Sequence, residues 1–394
     1  MKNRAYWIDN LRAFVIILVV AHHAALAYRT NAFFNKAAYI FSSWAIVDDQ
    51  RWIGMERFIY FNDIIFMALM FFISGLFVTT SLKRKGTKAF LHDRFNRLFV
   101  TFMVGASVLM LIAHYPSYTV AHGDFNIKNY IVDFFTVEYW PSGSAWFIWV
   151  LFLFNLIFAL LYNFLKELWD KLSNILLFFK DKPLLLFITL FTLTWILYVP
   201  MRLNLGAYVW TGYGPFDFQK STLLMYFGYF LLGTIFGNIS LEKGLFSDTF
   251  SFMKRWQVWT GLCLFMFVLL LLIDNPSLGN PLNQLVQMNI LSGTTAHAIY
   301  CTFYVATCAL GCLAYLTIFK GLVNHSNRVW NSLASNSFFI YLIHYIFVLW
   351  GQYMLLQIPL PAILKFAIVF LFAISLSWLL GHIIRKNHRI IKYL

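Results

Sequence analysis

Runs of roughly 18 or more apolar residues recur along the whole of this chain. A stretch of that length and apolarity can cross a bilayer only if its backbone polar groups are satisfied internally, which means a helix here. The expected fold is therefore an all-α polytopic membrane protein. Only 12% of the residues are charged, against about 25% in soluble domains. About ten spans of bilayer length can be drawn: Ile8–Tyr28, Phe58–Thr80, Leu98–His114, Ala145–Leu165, Leu184–Pro200, Thr222–Ile239, Val258–Ile273, Ala298–Phe319, Ser335–Leu355 and Pro361–Ile384. The first follows Lys2 and Arg4 but lacks a small-residue cleavage site, so it is read as a retained helix.

Charge orients these spans. The net charge is +14, and the basic residues gather in alternate loops. Lys83, Arg84, Lys85, Lys88, Arg94 and Arg97 follow the second span, and Lys166, Lys171, Lys180 and Lys182 follow the fourth. Lys243, Lys254 and Arg255 follow the sixth, Lys320 and Arg328 the eighth, and Arg385, Lys386, Arg389 and Lys392 close the chain. The stretch from Asp274 to His297 holds neither Lys nor Arg. This bias predicts that both termini are cytoplasmic, which an even number of spans permits. It also accounts for the basic balance without invoking nucleic acid, for which no aromatic-plus-basic module is present. Two long outer loops are expected, Arg29 to Arg57 and Tyr115 to Ser144. Each is either a solvated connector or a cover over a site, and the apolar stretch YIFSSWAIV in the first is too short to span.

Within the first span, Arg12 and His23 are eleven positions apart. On a helix that is about 16.5 Å of rise and close to three full turns, so the two side chains share a face. A permanent cation thus sits near one membrane surface, and an imidazole sits deep among aliphatic residues. The pair suits an elongated anionic substrate that reaches into the bilayer. An ionisable residue inside a membrane is a functional candidate by default, and a neutral imidazole can act as a general base. His22 falls off this stripe. Asp9, three residues before Arg12, can hold the guanidinium in place. Topology alone also explains Arg12 as a snorkelling residue and Asp9 as a helix N-terminal anion.

Further candidates follow the same logic. Arg94 and Arg97, one turn apart in HDRFNRLF, are positioned to clamp phosphate groups or simply to mark the inner side. Ser74, a candidate contact for the bound donor, precedes Gly75 in FFISG, where the glycine permits close helix approach. Trp146 opens the fourth span as a substrate contact or an interfacial aromatic. Tyr341 and His344, three apart in FIYLIHY, share a helix face and either line the same cavity as His23 or tie helices together. The cysteines Cys263, Cys301, Cys308 and Cys312 lie in apolar runs without zinc-ligand spacing, and no metal is expected. Walker, dinucleotide, G-x-S-x-G and H-E-x-x-H signatures are not found.

These motifs resemble the acyltransferase-3 family, bacterial membrane proteins that modify sugars outside the cell. IDNLRAFVIILVVAHH is similar to the family's first helix, with Arg12 and His23 matching its Arg or Lys, ten residues, His hallmark. FFISGLF, DRFNRLF with Arg94 and Arg97, AWFIWVL and FFIYLIH resemble later family segments. FFISGLF followed by the arginine pair is most similar to the glucan biosynthesis protein C type. The resemblance implies one integral-membrane domain over 1–394 in a bacterial inner membrane, with no fused extracytoplasmic domain. It implies an acyl-CoA donor (acetyl-CoA or succinyl-CoA) on the cytoplasmic side, with its phosphates against Arg12, Arg94 and Arg97. A glycan or other hydroxyl compound outside would be the acceptor, and His23 either a general base or an acyl carrier. Buried histidines in ten spans also suit a proton-coupled exporter of a polar metabolite or glycan, so transport stands as the alternative.

Overall fold

In a computed structural model, residues 5–41, 44–137, 140–239, 250–274 and 279–386 are described. Of the basic residues named above, Lys2, Arg4, Lys243, Arg389 and Lys392 lie outside them.

The chain is a bundle of helices. α1 runs Tyr6–Ala25, α2 Ile53–Gly75, α3 Val78–Lys85 and α4 Thr87–Arg94. α5 (Thr101–Val104) and α6 (Met110–His122) continue α4 through two π-helical segments, Phe95–Val100 and Gly105–Leu109. Then come α7 (Ile127–Thr136), α8 (Trp146–Ile175), α9 (Pro183–Leu205), α10 (Leu223–Phe236), α11 (Trp256–Ile273), α12 (Pro281–Gln287), α13 (Gly293–Leu322), α14 (Arg328–Leu355) and α15 (Ala362–Lys386). A two-stranded hairpin, β1 (Trp210–Thr211) with β2 (Phe218–Gln219), sits between α9 and α10. Among the described residues, nine helices are long and apolar enough to cross a membrane.

The sixth expected span, Thr222–Ile239, corresponds to α10, which is shorter. Its 14 residues reach about 21 Å, less than the ~30 Å hydrocarbon layer. It packs against α2, α8 and α9, so protein shields its ends. Three glycines set its approach to α2. A Cβ on Gly75 would collide with the Phe230 carbonyl, one on Gly233 with the Phe72 carbonyl, and one on Gly237 with the Leu76 carbonyl. Small residues of this kind let membrane helices touch backbone to backbone. Thr79 Oγ1 donates to the Thr234 carbonyl at 2.9 Å and Trp169 Nε1 to Thr234 Oγ1 at 2.8 Å, which fix the crossing.

Local sequence explains several boundaries. Ser292 caps α13 by accepting from the Thr295 amide at 3.0 Å, and Asn327 caps α14 by accepting from Trp330 at 2.8 Å. Pro183 opens α9, and Gly123, at φ 72°, closes α6. Both long loops are more structured than connectors. The segment after Tyr115 stays helical to His122 and resumes as α7. In the stretch YIFSSWAIV, Tyr39, Ile40, Ala45 and Ile46 are buried in a cluster with Met110, Tyr118, Tyr130, Phe134 and Tyr345. Both loops thus share one apolar cover over the end of the bundle where α14 finishes.

Candidate active site

α1 is central because it packs against α2, α13, α14 and α15. Its buried residues, including Leu11, Val15, Ile16, Val19 and Val20, face these neighbours. Asn10 fixes its first turn by donating to the Val323 carbonyl at 2.8 Å and the His325 carbonyl at 3.0 Å. Near the other end, Gln352 Nε2 donates to the carbonyls of His23 (3.0 Å) and Ala24 (3.2 Å), joining α14 to the last turn of α1.

The two helices bring His23 and His344 together. His344 is fully buried, and its Nε2 is 3.0 Å from His23 Nδ1. Its Nδ1 is 2.7 Å from the Tyr341 carbonyl. A carbonyl oxygen only accepts, so His344 Nδ1 carries a hydrogen. With both rings neutral, His344 Nε2 is then a bare acceptor, and His23 Nδ1 must donate to it. The hydrogen bonds therefore assign the unprotonated nitrogen of His23 to Nε2. His344 stands behind His23 as an orienting group, much as a carboxylate orients the histidine of a hydrolytic triad. His23 itself is partly exposed, and the ring of Tyr345 meets it edge-on at 5.1 Å.

The remaining candidates divide. Tyr341 contributes its carbonyl to His344, while its hydroxyl donates to the Ser144 carbonyl and ties α14 to the start of α8. Trp146 turns elsewhere, against Phe71, Tyr226 and Trp210; the adjacent Phe147 meets Tyr341 at 5.8 Å. Ser74 is half-buried on α2, beside the glycine contact with α10. Arg12 pairs with Asp9 at 3.3 Å and donates to the Ala334 carbonyl at 3.3 Å, with its side chain 44% exposed. Ile16 and Val19, on its stripe toward His23, are buried in the core, so a ligand spanning the two must part that packing. Arg94 stacks over Phe90 at 4.9 Å. Arg97 pairs with Asp93 at 3.2 Å, which also binds Lys85 at 3.1 Å. An open basic hollow lined by Lys85, Gly86, Lys88 and His92 adjoins them.

Two polar groups beside the histidines escaped the sequence reading. Asp63 on α2 is 3.6 Å from His22 Nε2, and Gln352 holds the end of α1. Both are polar residues within apolar runs, the same signal that singled out His23. Among the described residues, no cluster of His, Cys, Asp and Glu is suited to a metal ion.

A family model described as an acyltransferase domain matches residues 5–382. No curated protein and no solved structure matches the chain. The family match covers both histidine-bearing helices and the arginine pair between them, and the chain belongs to the acyltransferase-3 family of membrane acyltransferases.

Proposed function

We propose that this acyltransferase takes its acyl group from a coenzyme A thioester at the Arg12 end of the bundle. The receiving hydroxyl, on a glycan or similar acceptor, comes from the opposite end. The first end is cytoplasmic and the second extracytoplasmic, as the loop charges favour, in a bacterial inner membrane. The observation that carries the reading is the His23–His344 pair, whose hydrogen bonds leave Nε2 of the partly exposed His23 as the bare, basic nitrogen in a chain of the acyltransferase family.

Arg12, Arg94 and Arg97 supply positive charge for the donor phosphates, and the pantetheine arm enters by parting side chains along the α1–α14 face. As the acceptor oxygen attacks the thioester carbonyl, its proton passes to His23 Nε2. The carbon–sulfur bond then breaks, and the departing thiolate takes the proton as coenzyme A. In the two-step variant, Nε2 attacks the thioester carbonyl first and the carbon–sulfur bond breaks, releasing coenzyme A thiolate; the hydroxyl oxygen then takes the acyl group from Nε2, and its proton ends on the thiolate. Both routes use the same nitrogen. Family membership favours transfer over proton-coupled export. Both acetyl and succinyl groups fit this scheme.

Purified full-length protein should bind coenzyme A. The substitution His23→Ala should lower acyl transfer by roughly 10²–10⁴-fold with coenzyme A affinity kept. Full transfer activity in that variant would remove His23 from the mechanism.

A further inference from the structure

Past the histidine pair, at the end of the bundle where α1 finishes, lies a second polar centre that the acyl-transfer scheme leaves unused. Arg202, in the last turn of α9, is only 4% exposed. Its guanidinium lies over the rings of Tyr208 at 5.1 Å and Tyr198 at 5.8 Å. Tyr300 and Tyr304 are within electrostatic reach, and the Cys301 thiol is within hydrogen-bonding reach. Its Nε is buried and has no hydrogen-bond partner. Among the described residues, no carboxylate forms an ion pair with it.

A buried cation without a counter-charge is costly in any protein and more so in a bilayer. Tyrosine rings and hydroxyls soften that cost but do not neutralise it. The charge inventory around Tyr208 is uneven. Arg29, whose Nε is likewise buried without a partner, and Asp63 interact with each other, and Asp63 also faces His22. Asp274, near Tyr60 and Tyr300, faces Arg57. Arg29 and Asp63 cancel, Arg57 and Asp274 cancel, and Arg202 leaves one positive charge over.

The local geometry is that of a held site. Tyr208 has φ 50°, a left-handed conformation that non-glycine residues adopt only when the surroundings hold them there. Its hydroxyl stays protonated above the usual range, through burial first and the Asp63 carboxylate second, so it is a donor. Tyr300 bonds Tyr60 through their hydroxyls at 2.5 Å and also lines a cavity of about 220 Å³ that includes Asn280 and His297. The Asn280 Oδ1 and His297 Nε2 in this cavity are buried and unpartnered.

We propose that Arg202, with Tyr208 as its lip, is a subsite for one oxyanion, a carboxylate or phosphate, carried by a substrate of the transfer reaction. The inference rests on the acyl-transfer reading and deepens it. Asp63 relates the two centres: it lies 3.6 Å from His22, whose ring is 5.5 Å from that of His23, and it is within electrostatic reach of Tyr208. An anion held at Arg202 therefore belongs either to the far end of the acyl group or to the acceptor.

The test is the thermal unfolding midpoint of the full-length protein in lipid nanodiscs, with four probes in two matched pairs. Succinyl-CoA against acetyl-CoA reports an anionic acyl tail, and glucuronate against glucose reports an anionic acceptor. One acidic probe should raise the midpoint beyond its neutral partner, and the pair that does so identifies the source. Arg202→Gln should abolish that surplus while keeping the shift produced by coenzyme A alone. Arg202→Lys keeps the charge but loses the planar two-pronged donor; it should weaken the acidic probe about tenfold, and it carries the test if the glutamine variant does not fold. No surplus in the wild type, or a surplus unchanged in the variants, would overturn the proposal. A wild type indifferent to coenzyme A but sensitive to glucuronate through Arg202 would reject the donor reading alone.

Discussion

At the scale of single residues, a nitrogen's protonation follows from what lies two hydrogen bonds away. The Tyr341 carbonyl fixes the hydrogen on His344 Nδ1, and that in turn places the bare nitrogen of His23 at Nε2. His344→Ala removes the acceptor for His23 Nδ1–H, leaving the ring free to rotate and to exchange tautomers. Its expected effect is a fall in kcat of roughly 10–100-fold, the loss typical of a positioning partner, with the donor KM unchanged. His344→Gln, whose amide oxygen can accept from Nδ1–H, should restore part of the rate. Initial rates of coenzyme A release over a pH series check both. Equal loss in the two variants would mean that His344 only fills space. The Arg12 and His23 stripe was legible because helical spacing alone puts both on one face. His344 was legible as an imidazole in an apolar run, but its contact with His23 was not, since it joins α1 to α14. Arg202 was invisible for a different reason. A last-turn arginine normally reads as an interfacial charge, and only tertiary burial under Tyr208 marks it out.

At the scale of elements, polar locks hold the helices and the segments between them in place. Lys365 Nζ, near the start of α15, meets Asp48 Oδ2 at 2.6 Å, and both side chains are 1% exposed. The Asp48 amide donates to the Ala27 carbonyl at 3.0 Å, and its own carbonyl accepts from Arg51 Nε at 2.9 Å. One ion pair therefore anchors the segment after α1 to the last helix. Removing either partner leaves a buried charge, so Lys365→Met or Asp48→Leu alone should each cost about 3–5 kcal/mol, while the double variant recovers most of that loss. Unfolding midpoints around the four-member cycle measure the coupling. A second lock joins the β1–β2 hairpin to α8. Ser142 Oγ donates to the Asp217 carboxylate, and Trp149 Nε1 donates to the Asp217 carbonyl at 2.8 Å. Burial pushes the Asp217 carboxyl up to about 7, opposed by the Ser142 hydroxyl. The folded state then holds a proton that the unfolded chain releases near pH 4, so stability falls as pH rises from about 4 through about 7. Asp217→Asn should flatten that slope in a midpoint-versus-pH series; an unchanged slope would assign it to other groups. The helices themselves were readable from apolar length, but their ends were not. The third span runs on into α4 and out to His122 through two π-helical segments, because a helix satisfies its own backbone polar groups and need not stop where the apolar run does. α10 falls short of bilayer length because α2, α8 and α9 enclose it.

For the whole molecule, everything functional depends on which end of the bundle faces the cytosol. Coenzyme A thioesters are made there, so the Arg12, Arg94 and Arg97 end must open to it if those residues hold the donor. Loop charge argues for this arrangement, and the four cysteines make it directly measurable. Cys263, Cys301, Cys308 and Cys312 are all buried, so an added surface cysteine should dominate labelling. Lys88 lies exposed in α4 beside the arginine pair, and Gln287 lies exposed at the end of α12, on the stretch without Lys or Arg. In intact cells, an impermeant maleimide should label Gln287→Cys. It should reach Lys88→Cys only after the membrane is permeabilised. The reverse pattern would place the basic end outside, away from any thioester. Arg12, Arg94 and Arg97 would then lose their role toward the donor, and the Arg202 centre would become the positive site facing the cytosol. Labelling at both positions without permeabilisation would instead mean that Lys88 and Gln287 lie on one side, which the helices from α4 to α12 can satisfy only if one of the spans between them re-enters rather than crosses.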